Sequence, residues 1–530
     1  MTRPGWPVAW AALLTLGNAA KPVVVDDTAY LLFARQIAAD PTNPYGFYLF
    51  WYSCPEPAMG VLAPPVLPYW LAAGVRLFGE HIFLLKLWLF PFAWLFCRAA
   101  FALLRRFAPG REVVGTGLLA LSPAALPLFN LMLDLPAAAI GLAAVAAFAR
   151  GRWPNAVLAG LFAGLAMQTK YTMLTAPAVL LWYGLLHRRG AQGVVACVVA
   201  AVVFAAWELW LLQRYGVSHF LFHAADQSAG DRSKWELALP LMGYLGGLAV
   251  GWGLLAGPAA GFPRWVVRLA GGLAVVSYAA VCLTPGANSI LLRNPATGAV
   301  RLDLPGLVFN TLGAVTAGTV IVAVLRTARD PAGWFLAGWV LIEAIAYFAL
   351  TPFPGGRRVL PLCVPVGLLA IRLTATYRPE RWALAFGPAV GVGLLALDTW
   401  DALPERRLAH RAAGVVGDPG PHRVWTQGHW GWQFYTDRHG MRLAEPGRTA
   451  FRPGDWLVLP VTPDEFGFYR PYHGGAIVDV DPARVEVVAV LTWDDWLPAQ
   501  TIPTLYGGRY PVVGRDHPRL AVVVYRVTGE

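Results

Sequence analysis

Charge is what this chain of 530 residues has least of: 14% of it is Asp, Glu, Lys or Arg, against about 25% in an ordinary soluble domain. Together with 57% hydrophobic residues, that scarcity argues against a soluble globular chain and for a polytopic membrane protein. Cysteine is scarce too. Cys54, Cys97, Cys197, Cys282 and Cys363 stand singly, with no CxxC pair and no His at ligand spacing, so they read as small buried hydrophobes rather than a disulfide framework or a metal site. No GxGxxG or Walker loop follows a strand, which leaves no sign of a nucleotide-binding fold. A clear small-residue cleavage site is missing after the apolar run 6–20, which ends in Lys-Pro and acids. That run therefore reads as a retained first span and not as a secretory signal.

What is present is apolar blocks of roughly 17 to 22 residues, recurring to about residue 400. Spans are expected at 6–24, 82–104, 113–131, 135–149, 155–170, 172–187, 193–213, 236–256, 266–285, 306–325, 333–350, 359–375 and 382–400, thirteen in all. The net charge is +11, and the tail from residue 404 holds 14 Arg against 14 Asp and Glu. The excess thus belongs to the membrane part, which argues against nucleic acid as a partner.

The basic residues fall on alternate loops: Arg3, the 105–111 turn, 150–152, 188–189, 264–268, 326–329 and 372–381. By the positive-inside rule that side is cytoplasmic. An odd span count then places the amino terminus inside, and the longer loops (25–81, 214–235, 286–305, 351–358) and the neutral tail outside. Asp26 and Asp27, in VVVDDTAYLLFARQIAA, are expected on the outer side. So are Asp134 in LMLDLPAAA, Lys170 in MQTKYT, and Arg357 with Arg358 in TPFPGGRRVLP. Two further acids, Glu208 and Glu343, fall within spans, where a carboxylate is costly and marks either a functional cavity or a helix-pairing hydrogen bond.

Outer-side carboxylates could take a proton from an acceptor, and outer-side cations could hold a departing phosphate. Sugar transfer passes through an oxocarbenium-like state that an adjacent carboxylate stabilises. If the donor is a lipid phosphate, the bilayer delivers it and no nucleotide-binding fold is needed. Singly, each of these charges also reads as an outer-loop acid or a helix-end arginine.

Four stretches in order carry a resemblance: VVVDDTAYLLFARQIAA, NLMLDLPAAAIGLAAVAAFARGRW, LAGLFAGLAMQTKYTMLTAPAVLL and FPGGRRVLPLCVPVGLLA. They resemble the GT-C glycosyltransferases of the protein O-mannosyltransferase and aminoarabinose transferase group (family 39-like), over most of residues 20–375. The resemblance implies a GT-C transmembrane catalytic domain, 1–403, with a large first outer loop, 25–81. It implies an inverting hexosyl or pentosyl transferase of the inner membrane, using a polyprenyl-phosphate sugar donor and a glycan, lipid or protein acceptor. Carried onto this sequence, it makes Asp26 the base with Asp27 beside it, Asp134 the second acid, and Lys170, Arg357 and Arg358 the phosphate contacts. Tyr30 follows in the same motif. Relatives carry a His-Pro-Pro run in the first outer loop, whereas YSCPEPAMGVLAPPVLPYW keeps Pro64-Pro65 without the His, and Glu56 is the nearest polar candidate for substrate. No obligatory metal is implied, and a divalent cation is left open.

Residues 404–530 are expected as a small mixed α/β extracytoplasmic domain with strands at 423–426, 456–461, 485–491 and 520–527. Between them, TQGHWGWQFYTDRHG gathers His429, Trp430, Trp432, Phe434, Tyr435 and His439, which suits either a sugar ring or a packed core. The rival function is a membrane transporter or lipid-linked sugar flippase, which Glu208 and Glu343 keep open. A non-catalytic scaffold is the third reading; in it, nothing depends on Asp26.

Overall fold

The computed structural model describes residues 5–51, 54–228, 234–283, 292–293, 300–301, 304–463, 469–471, 482–514 and 519–529. Parts of the expected outer loops 214–235 and 286–305 lie outside the described residues. The protein is a polytopic α-helical membrane protein with a mixed sheet near its carboxyl end. Among the described residues, seven helices are long and apolar enough to cross a membrane, or eight if the bent pair Lys234–Leu248 and Val250–Ala256 is one span. That pair bends by 71°. The chain carries the helix-dipole complement in its arginines: Arg105 and Arg106, Arg214, Arg326 and Arg372 each occupy the last turn of a long helix.

The thirteen expected spans are not thirteen full-length helices. The block 113–131 reads as one apolar run, but helix Glu112–Ala120 ends early and a buried non-helical stretch leads to the helix Asp134–Phe148. Pro123 and Pro127 supply no amide hydrogen to a helical ladder and break it, and hydropathy does not see that. Asp134–Phe148 has 15 residues and rises about 22 Å, less than the roughly 30 Å of a hydrocarbon core. Elsewhere small residues let backbones touch: a Cβ on Gly246 would clash with the Phe309 carbonyl oxygen, and one on Gly313 with that of Met242.

The tail begins with helix Leu403–Val416, followed by a sheet in the order Arg442–Leu443, Val424–Thr426, Trp456–Pro463, Leu520–Val527, Val485–Trp493. Val424–Thr426 is parallel to both its neighbours and the remaining pairs are antiparallel. All four expected strands are present. Leu408, Ala412, Trp432, Val458, Val522 and Val524 form the core between helix and sheet.

The tail also reaches into the bundle. The Lys21 ammonium is ion-paired with Asp398 with both side chains fully buried, and it donates to the Tyr506 hydroxyl at 3.0 Å. Tyr506 in turn donates to Asp398 at 2.7 Å. The amides of Thr501 and Ile502 both donate to Asp401 at 2.8 Å, whose other oxygen pairs with Arg519. A Cβ on Gly355 would meet the Tyr506 carbonyl oxygen at 2.7 Å, so the tail lies directly against the turn that starts helix Gly356–Leu373.

Candidate active site

The doublet Asp26-Asp27 starts helix Asp27–Ala39. Val25, a β-branched residue, adopts φ +45°, a left-handed conformation that costs of order 1–3 kcal/mol and needs surrounding packing to hold it. The turn is closed by the Asp27 amide donating to the Val24 carbonyl at 3.0 Å and by the Val24 amide donating to the Asp27 carboxylate at 3.2 Å. Asp27 is fully buried, and burial pushes its carboxyl up to about 6 against the opposing pull of Lys86. Lys86 itself is held by the carbonyls of Lys21 and Pro22 at 2.8 and 3.1 Å. Asp27 thus shapes the turn from inside, while Asp26 faces the other way.

Asp26 is ion-paired with Arg357, in the first turn of helix Gly356–Leu373. Its side chain is 15% exposed, against 9% for that of Arg357. Asp134 is ion-paired with Lys170, both buried. Burial pulls the Lys170 ammonium down to about 8, with Asp134 opposing and Arg358 and Arg357 adding to the fall. Arg358 lies with its guanidinium 3.9 Å from the centre of the Phe353 ring and forms no ion pair among the described residues. Its Nε, like that of Arg357, has no hydrogen-bond partner there. Tyr30 is buried among these groups, its phenol pushed well above the usual range by burial first and by Asp26 next. It stays a neutral hydroxyl.

Five charges separated by up to 332 residues of sequence therefore meet: Asp26 and Asp134 against Lys170, Arg357 and Arg358. The balance is one positive charge, with the Arg358 guanidinium stacked on Phe353 and outside any ion pair among the described residues, at a helix amino terminus where the backbone also favours an anion. Such an arrangement is chemically suited to an anion. Both acids that a divalent cation would use are engaged with cations, and no three His, Cys, Asp or Glu side chains gather among the described residues.

Of the sequence candidates, Asp26, Asp134, Lys170, Arg357, Arg358 and Tyr30 come together. Asp27 supports the same turn from below. Glu56 does not join them: it sits half-buried on the short strand Pro55–Pro57, and its side chain makes no hydrogen bond or ion pair among the described residues. Glu208 accepts from Ser218 Oγ at 2.7 Å, the Phe220 amide at 3.0 Å and the Tyr171 hydroxyl at 3.3 Å, which makes it a fixed support beside Lys170. Glu343 accepts from Thr175 Oγ1 and Trp339 Nε1, each at 3.1 Å, and borders a cavity lined also by Ala138, Met173 and Pro361.

No family model matches the chain, and no curated protein does. Solved structures do. The chain is similar to ArnT from Cupriavidus metallidurans bound to undecaprenyl phosphate, at 17% identity and TM-score 0.45, over 99% of this chain and 98% of that one. It is also similar to the archaeal oligosaccharyltransferase AglB from Archaeoglobus fulgidus in complex with an inhibitory peptide and a dolichol-phosphate. There the identity is 12% and the TM-score 0.44, over 90% and 75% of the two chains. Similarity at that level assigns no residue a role.

The sequence alone did not join residues 428–435 to this centre. Thr28 Oγ1 donates to the Trp430 carbonyl at 2.6 Å, and the Val23 amide donates to the Tyr435 hydroxyl at 2.9 Å. The tail is thus bonded to the chain on both sides of the acidic doublet. The density of aromatic and His side chains was the available signal, but nothing local pointed to their partner.

Proposed function

We propose that the protein is a GT-C-type glycosyltransferase that moves a sugar, with inversion, from a polyprenyl-phosphate donor to an acceptor hydroxyl at the outer face of the membrane. One observation carries this reading: a partly exposed carboxylate, Asp26, is held by a cation of a buried three-cation cluster in which Arg358 forms no ion pair among the described residues. The motif resemblance over residues 20–375 supports it independently. In this reading residues 1–403 form the catalytic part and 404–530 an outer-side domain.

The donor phosphodiester enters between Arg357, Arg358 and Lys170. As its oxygens engage Arg357, the guanidinium exchanges one anion for another and Asp26 is released to act as base. The acceptor oxygen attacks the sugar C1 from the face opposite the phosphate. The O–C1 bond forms, the C1–O bond to phosphorus breaks, its electron pair stays on the leaving polyprenyl phosphate, and the acceptor proton passes to Asp26. The cluster's excess positive charge stabilises the phosphate as its negative charge grows. Asp134 keeps Lys170 charged and oriented, and Tyr30, neutral, offers a hydrogen-bond donor.

The reading is tested by offering the purified full-length protein a panel of radiolabelled polyprenyl-phosphate hexoses and pentoses with native membrane extract, and analysing products by mass spectrometry. Transfer from at least one donor, lost in Asp26→Asn, is expected. Folded protein that transfers from none would favour the transporter, for which the buried Glu343 at its cavity is the supporting observation.

A further inference from the structure

The tail meets the bundle at the end of the span Arg381–Asp401. Its 21 residues rise about 31 Å, the thickness of a hydrocarbon core. Arg381 and the ion pair of Arg268 with Glu380 mark one end, so Trp400 and Asp401 stand at the opposite boundary. Ala385, Ala389, Val392, Ala396 and Trp400 are exposed at the three- and four-residue steps of one helix face. An apolar stripe left exposed on a span is its lipid face. At the top of that stripe Trp400 donates its indole N–H to Asp495 of the tail at 3.1 Å. Asp495 also accepts from the Trp493 indole at 3.2 Å and the Leu497 amide at 3.0 Å, and it pairs with Arg519 at 2.8 Å. Arg519 pairs in turn with Asp401. The turn 493–497 is thus tied down at the rim of the lipid face, and from it projects Trp496, 82% exposed.

Trp235 is exposed to the same extent. Its ring meets that of Phe348, in the last turn of the span Pro331–Leu350, at 6.3 Å between centres, and Lys234 beside it donates to the Thr351 carbonyl at 3.3 Å. Pro331–Leu350, Gly356–Leu373 and Arg381–Asp401 follow one another through short turns and so alternate in direction. The ends that carry Trp235 and Trp496 therefore lie on one side, the side where Arg357 and Arg358 begin their helix. On the other side, Trp265 and Trp334 are exposed in the first turns of Arg264–Leu283 and Pro331–Leu350. Two levels of exposed indole one span length apart mark the two boundaries of a bilayer. We propose that Trp496 inserts into the headgroup region of the leaflet on the tail's side, so that the turn 493–497 docks the tail onto the membrane surface. Indole suits that depth, because its ring is apolar and its N–H finds water or a headgroup oxygen. A protein partner would need about 800 Å² of complementary surface on each side, whereas the residue before Trp496 is an acid already engaged with Trp400, Trp493 and Arg519. Docked in this way, the tail is held at a fixed height over the helix start that carries the arginine pair.

The test uses the full-length protein in phosphatidylcholine nanodiscs. A nitroxide is attached at Trp496→Cys in a Cys54→Ser, Cys197→Ala, Cys282→Ala background, which removes the cysteines that are not fully buried. Its collisions with oxygen, which partitions into lipid, are compared with its collisions with a water-soluble nickel chelate. The oxygen-to-nickel ratio is expected to be several-fold above that of a label at Arg448→Cys, exposed in the tail, and to approach that of a label at Ala396→Cys on the lipid face. A label at position 496 as open to nickel as the one at 448 overturns the proposal and leaves solvent or a partner protein as what Trp496 meets. Should the labelled variant not fold, Trp496→Phe supplies a second reading in nanodiscs whose lipid is brominated at the headgroup end of the acyl chains. Bromine is expected to quench less Trp emission in Trp496→Phe than in wild type, and an unchanged quenched emission overturns the proposal equally.

Discussion

Asp26 and Arg357, 331 residues apart in the chain, form a partly buried ion pair at the point where two helices begin. Each therefore holds the other until a stronger partner arrives, and the two substitutions should separate in kinetics. Asp26→Asn removes the proposed base but leaves the cations, so kcat should fall about 10²–10⁴-fold with donor binding retained. Arg357→Ala should chiefly raise the donor KM. Single-turnover transfer with donor titration distinguishes them; equal effects on kcat and KM for both variants would show that the pair is only structural.

Asp27 should behave differently from its neighbour although the sequence sets them side by side. It is fully buried and bonded to the Val24 amide, so Asp27→Asn should transfer sugar within about threefold of wild type, an effect below 1 kcal/mol. Its folded-state carboxyl ionises at about 6 against an ordinary 3.8. Between those values the folded protein binds more protons than the unfolded chain, so this group's contribution to stability falls as pH rises through that window. Melting curves between pH 4 and 6.5 should slope less in Asp27→Asn than in wild type.

In the proposed function, Lys170 sets the alkaline limit. With its ammonium drawn down to about 8 by burial, it loses its charge as pH rises past that value, and the donor phosphate loses a contact. The donor KM should climb above about pH 8. Lys170→Arg, whose guanidinium stays charged, should move that limb beyond the measurable range. A limb left in place by the substitution would assign it elsewhere.

The charged residues of the candidate site stood out in the sequence for a physical reason: in a chain this apolar, each ionisable group is expensive, so Asp134, Lys170 and the Arg pair are conspicuous wherever they occur. Their pairing was not legible, because nothing local connects Asp26 to Arg357. Glu56 was chosen as the nearest polar residue in its loop, and its side chain makes no hydrogen bond or ion pair among the described residues. The block 113–131 looked like a span because hydropathy measures side chains, whereas Pro123 and Pro127 act through the backbone. The aromatic loop at 428–432 was visible as a cluster, yet its place beside Asp26 depends on Thr28 and Val23 contacting a segment some 400 residues later.

The tail's hold on the bundle gives the last prediction. Lys21 and Asp398 are both fully buried, and Tyr506 and Thr501 of the tail satisfy Asp398 at 2.7 and 2.6 Å. Removing one partner leaves an uncompensated buried charge, so Asp398→Ala should cost about 3–5 kcal/mol. Replacing both charges by apolar residues of similar size, Lys21→Met with Asp398→Leu, removes the Coulomb attraction but also both desolvation penalties, and should recover much of that loss. The double variant still lacks the acceptor for Tyr506 and Thr501, so recovery should be incomplete and the tail should open first. Denaturant unfolding of the cycle, with limited proteolysis around residue 500, reads both effects. A double variant no more stable than Asp398→Ala would show that the tail's hydrogen bonds, and not the ion pair, fasten it to the helices.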